Sequence, residues 1–241
     1  MASFIYEISW VRMLSHVLGG TTHSFELMIS AFISGLALGG LWIRRVVDRT
    51  PSPMPYAGVV QILMGLCALA TVPVFLASFD WMSSILSHAR STGSEYWSFA
   101  ASTHLIALAV MLPATFFAGM TLPLFTAILF HDGQGERCIG RIYAANTIGA
   151  IVGVLFAVHV GMPALGMKQL IVLGAVLDIL LGFVFLMRQP LSRYRTIATS
   201  LGCVVLIAMI ASIRIDYRIV SSGVFRHGDA KSLEQAKIRY S

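Results

Sequence analysis

Apolar positions dominate this chain in long uninterrupted runs, and the few charged residues fall in clusters between them. The runs are about 18 to 25 residues long, enough for an α-helix to cross a hydrocarbon core of about 30 Å. Seven candidate helices follow: 3–19, 24–45, 55–78, 97–130, 139–161, 167–188 and 195–214. The first is short for a span, and the fourth contains Pro113 and Pro123. A polar stretch from Asp80 to Glu95 reads as the longest loop before the tail, with Trp81, Met82, Ile85 and Leu86 suited to the membrane interface. Residues 1–214 therefore read as a helix bundle and 215–241 as a polar tail. The fold class is all-α: a polytopic membrane helix bundle of about seven transmembrane helices.

Composition agrees. Of 241 residues, 57% are hydrophobic and 12% charged, about half the charge of a soluble domain, and the mean hydropathy is +0.80. The first helix lacks a basic start and a small-residue cleavage site, and it holds Glu7 and Arg12, so it is not a signal peptide. Its length is expected to reflect a start that omits the opening turns of a normal span.

The net charge of +6 does not indicate nucleic-acid binding, because the basic residues sit at helix ends, where they set orientation and meet anionic headgroups. One set of alternate loops holds eight (Arg44, Arg45, Arg49, Arg137, Arg141, Arg188, Arg193, Arg195), and the other holds Arg90 and Lys168. By the positive-inside rule the first set is cytoplasmic, as is the N-terminus. Seven spans then export the tail, although residues 214–241 carry six basic residues. Cys67, Cys138 and Cys203 share no metal-ligand spacing and read as free thiols.

Small residues recur every four positions at Ala31, Gly35 and Gly39 and at Ala145, Gly149 and Gly153. Such stripes let helix backbones approach closely; packing within the chain is the simpler use and a homo-oligomer contact the sharper one. Pro113, Gly119 and Pro123 mark the expected broken or hinged helix, because each proline removes a backbone donor. Ionisable groups within spans need partners. Glu7 and Arg12 lie five positions apart, awkward for a pair along one face, and His23 with Glu26 opens the second helix at a spacing suited to pairing. His104 and His159 read as interfacial. Asp178 falls near the middle of the sixth span, where it must be protonated, paired with a basic group such as Arg12, or facing water. Asn146 and Thr147 place polar groups inside the fifth helix, as packing contacts or as substrate contacts. Asp178, Glu7, Arg12, Glu26 and Asn146 are thus the candidates for a substrate or ion pathway. No phosphate loop, zinc-protease motif or nucleophile elbow occurs, and His131-Asp-Gly-Gln-Gly135 reads as a loop. No catalytic residue, metal site or cofactor is expected in these residues.

Four segments together resemble one family: Ile-Tyr-Glu-Ile-Ser-Trp-Val-Arg (5–12), Ser-Gly-Leu-Ala-Leu-Gly-Gly (34–40), Ala-Gly-Met-Thr-Leu-Pro (118–123) and, most distinctive, Gly-Arg-Ile-Tyr-Ala-Ala-Asn-Thr-Ile-Gly-Ala-Ile-Val-Gly (140–153). Their order resembles the membrane portion of the bacterial membrane-bound, fused transporter-like spermidine synthase-like proteins. Ser221-Ser-Gly-Val-Phe-Arg-His-Gly228 resembles the junction that leads there into an aminopropyltransferase-like domain. The resemblance implies a transporter-like bundle in the bacterial inner membrane, with a role in polyamine biosynthesis. The chain is expected to be a truncated or split form that anchors or feeds a catalytic domain it lacks, and so to be inactive alone. That domain would use decarboxylated S-adenosylmethionine and so is expected in the cytoplasm, against the exported tail. The alternatives are an independent small-cation or polyamine transporter-like protein and a structural membrane assembly subunit.

Overall fold

The computed structural model describes residues 1–188, apart from positions 48, 51, 93, 94, 132, 134 and 136, together with Ser200, Gly202, Cys203 and Ile207; side chains 86–99 are outside this set. The described chain is entirely helical: α1 (Ala2–Leu18), α2 (Thr22–Val47), α3 (Met54–Thr92), α4 (Glu95–His131), α5 (Arg137–Phe156), a π-helical turn (Ala157–Gly161) and α6 (Met162–Met187). Among the described residues, four stretches are long and apolar enough to cross a membrane: Thr22–Val47, Met54–Ile85, Ala100–His131 and Arg137–Met187. This departs from the count of seven. Helix α1 has only 17 residues, about 26 Å of helix, and the last 51-residue stretch contains both the fifth and sixth expected helices. The seventh candidate (195–214) and the tail lie outside the described residues, apart from the four positions named above.

Local chemistry explains the boundaries. Gly19, at φ 86° and ψ 156°, takes an extended positive-φ conformation that glycine accepts readily, and α1 ends there. Thr21 then caps α2, its hydroxyl oxygen accepting the Ser24 N–H at 3.2 Å. The Ser24 hydroxyl donates to the Leu18 carbonyl at 2.9 Å and so satisfies a terminal acceptor of α1.

Two expectations are corrected here. The stretch from Asp80 is not a loop: α3 continues to Thr92 and α4 begins at Glu95. Phe75, Phe79 and Met82 follow helical spacing, and all three are buried, so one face still pays to stay helical beyond the apolar run. Nor does the segment Pro113–Gly119–Pro123 break its helix. Helix α4 runs through both prolines, held between α2 on one side and α3 on the other. The irregularity falls elsewhere. Pro163 has no N–H and crowds the preceding turn; the helix widens into the π turn just before it, and Gly166, at φ 77° and ψ 174°, interrupts it.

Packing orders the helices as α2, α4, α3 and α6 side by side, with α1 laid chiefly against α6. At the crossing of α2 and α4, Gly35 faces the Thr115 side chain, Gly39 the Phe116 carbonyl and Gly119 the Leu36 carbonyl. The crossing of α3 and α6 is equally close. A Cβ added at Gly182 would lie 2.6 Å from the Gly58 carbonyl oxygen, and one at Gly65 would lie 2.9 Å from that of Ala175. Such contacts supply dispersion where lipid gives no hydrophobic drive. The main core joins α1, α2, α3 and α4 through Trp10, Leu14, Ala31, Phe75 and Met111.

Candidate functional site

The candidate site grows from one face of α6. Gly174, Asp178 and Gly182 are spaced by four and share a side of the helix. The missing side chain at Gly174 admits the Tyr6 ring, whose nearest carbon would stand 2.6 Å from a Cβ there. Seated so, Tyr6 donates its phenolic hydrogen to Asp178 Oδ2 at 2.7 Å. Asp178 is only 4% exposed and Tyr6 1%.

Tyr6 lies one turn before Trp10 on α1, and the rings stack with centroids 5.4 Å apart and planes 26° from parallel. The Trp10 indole N–H donates to Thr71 Oγ1 at 3.0 Å, while the Thr71 hydroxyl donates to the Ala68 carbonyl at 2.6 Å. A polar thread therefore runs from α6 through α1 to α3, enclosed by apolar side chains. Low local dielectric strengthens each link and makes each lost partner costly. Chemically, the thread holds one carboxyl group in a fixed orientation, with one oxygen engaged by a hydroxyl donor. Gln61 on α3 is also buried, and its Oε1 has no hydrogen-bond partner among the described residues.

The five pathway candidates do not converge. Only Asp178 enters this thread. The basic partner proposed for it, Arg12, is exposed; six positions separate it from Tyr6, so it points away from α6 when Tyr6 points inward. Glu7 is half-buried and Asn146 exposed. Glu26 faces outward and approaches His23 Nδ1 at 3.8 Å, with both side chains more than half exposed. Of the packing glycines, Gly35 and Gly39 are buried between α2 and α4, whereas Gly149 and Gly153 meet only Met1 atoms. Tyr6, Trp10, Thr71 and Gly174 were not singled out by the sequence. The available signal was Tyr6 and Trp10 at a spacing of four, in a helix where two amphipathic aromatics need polar partners. Among the described residues, no three His, Cys, Asp or Glu side chains are grouped to hold a metal.

Comparison of the chain with protein-family models, with curated proteins and with solved structures gave no match.

Proposed function

We propose that this chain is the membrane-embedded, transporter-like bundle of a spermidine synthase-like protein of the bacterial inner membrane. It anchors, or passes a small cationic substrate to, an aminopropyltransferase-like domain outside these residues. One observation carries the reading: the segments that bear the resemblance occupy structural junctions. Segments 34–40 and 118–123 meet at Gly39 and Gly119, and segment 5–12 supplies Tyr6 and Trp10 of the buried thread. Segment 140–153 is the exception: it is largely exposed and lies in the stretch Arg137–Met187 that is long and apolar enough to cross a membrane. The test is to express the chain with and without a co-expressed aminopropyltransferase-like partner and to assay aminopropyl transfer. Activity is expected only with the partner; substantial transfer by the 241 residues alone would sink the proposal.

A second reading, a small-cation or polyamine transporter, is favoured by the buried carboxyl of Asp178 in an apolar interior. Carboxylates inside bundles bind amines or protons in such proteins. Uptake into proteoliposomes separates the readings. Saturable polyamine uptake that is lost in Asp178→Asn supports transport, and unchanged uptake removes Asp178 from it.

A further inference from the structure

A cleft of about 700 Å³ opens between the C-terminal parts of α2 and α4 and the start of α5. These helix ends adjoin Arg44, Arg45, Arg49, Arg137 and Arg141, five basic residues against three acidic ones (Asp48, Asp132, Glu136) in the same stretches of sequence. By the positive-inside rule this is the cytoplasmic end.

The walls change character with depth. The inner part is apolar, formed by Gly40, Leu122 and Pro123, and polar groups gather toward the helix ends at Arg44, Thr50 and His131. The hydrogen-bond inventory then selects the ligand charge. Thr126, also in the wall, donates its hydroxyl hydrogen to the Leu122 carbonyl at 2.9 Å, and Thr50 donates to that of Val46 at 2.8 Å. His131 Nδ1 lies 3.2 Å from the Ala127 carbonyl. The Arg44 guanidinium and the Tyr143 hydroxyl remain to donate, and among the described residues no carboxylate lines the cleft. Such a donor set suits a phosphate-bearing anion, and the apolar inner wall suits acyl chains.

We propose that this cleft is a binding site for an anionic phospholipid, with Arg44 and Tyr143 holding the phosphate and the wall of Leu122 and Pro123 receiving a chain. Basic pockets between transmembrane helices on the cytoplasmic side are a recurrent form of lipid recognition. The site lies apart from the thread at Asp178 and stands whether or not the proposed function does.

The test titrates the delipidated full chain, in neutral detergent, with phosphatidylglycerol, phosphatidylcholine and inorganic phosphate, and counts bound molecules by native mass spectrometry. Phosphatidylglycerol is expected to bind about fivefold tighter than phosphatidylcholine, and inorganic phosphate is expected not to displace it. Arg44→Gln removes the preference, Tyr143→Phe weakens binding roughly threefold, and Arg45→Gln, outside the cleft, leaves it unchanged. Circular dichroism checks that each variant is folded, and Tyr143→Phe carries the test if Arg44→Gln is not. Equal binding of the two lipids overturns the proposal, as does an equal loss in Arg45→Gln. Displacement by inorganic phosphate overturns the lipid assignment in favour of a free anion.

Discussion

Helices α2 and α5 carry the same pattern, a small residue every four positions, and meet opposite fates. On α2, Ala31, Gly35 and Gly39 are all buried, and the glycines lie against Thr115 and the Phe116 carbonyl of α4. On α5, Gly153 is buried and Gly149 is half-buried, but Ala145 is exposed along with Asn146 and Thr147 beside it. The nearest atoms at both glycines of this stripe belong to Met1. A small-residue stripe therefore permits a close approach without naming what approaches. The partner decides its worth.

The sharpest way to break this contrast is Gly39→Val. Its Cβ would meet the Phe116 carbonyl, and backbone cannot yield as a flexible side chain can. A loss of about 3 kcal/mol is expected, read as resistance to unfolding in mild detergent; a change under about 0.5 kcal/mol, ordinary for a surface position, would mean that the crossing of α2 and α4 is wrong. Next comes Tyr6→Phe, which leaves Asp178 without its donor. About 2 kcal/mol should be lost, and the near-ultraviolet signal of Trp10 should change as its stacking partner shifts. On α5 the effects shrink. A Cβ at Gly153 would stand 2.8 Å from the Met1 carbonyl oxygen, and Met1 precedes the first turn of α1 instead of lying inside a helix. Gly153→Ala should cost about 1 kcal/mol, and thermal unfolding should place it between the other variants. Smallest is Gly149→Ala, whose Cβ would lie 3.6 Å from the nearest Met1 atom, an ordinary contact. Its stability should stay within about 0.5 kcal/mol of the parent, with a slight gain from alanine's helix propensity. A large loss there would show that α5 is tightly packed after all.

The candidate site was half legible. Asp178 stood out because a carboxyl in the middle of an apolar run demands an explanation. Its partner did not, since Tyr6 lies 172 positions away and tyrosine is unremarkable in an apolar helix. The expectation of Arg12 weighed charge alone and left out helix phase. The prolines misled for a related reason. Pro113 and Pro123 each lose one donor, yet α4 stays helical between two packed neighbours. At Gly166 the backbone takes a conformation that a glycine accepts readily. A proline marks where a helix is weakened; packing decides whether it gives way.

By itself, the sequence determined the class of the molecule and the approximate limits of most helices. The expected 24–45 lies within Thr22–Val47, and the expected 139–161 and 167–188 meet near the break at Gly166. Apolar length and period are local properties, so they can be read along the chain. Only the tertiary structure decided that α2 finds α4, that α5 remains largely uncovered, and that Tyr6 rather than Arg12 answers Asp178. Those outcomes depend on which helix faces meet at distances of a few ångströms, and helix phase together with side-chain size sets that only once the bundle is assembled.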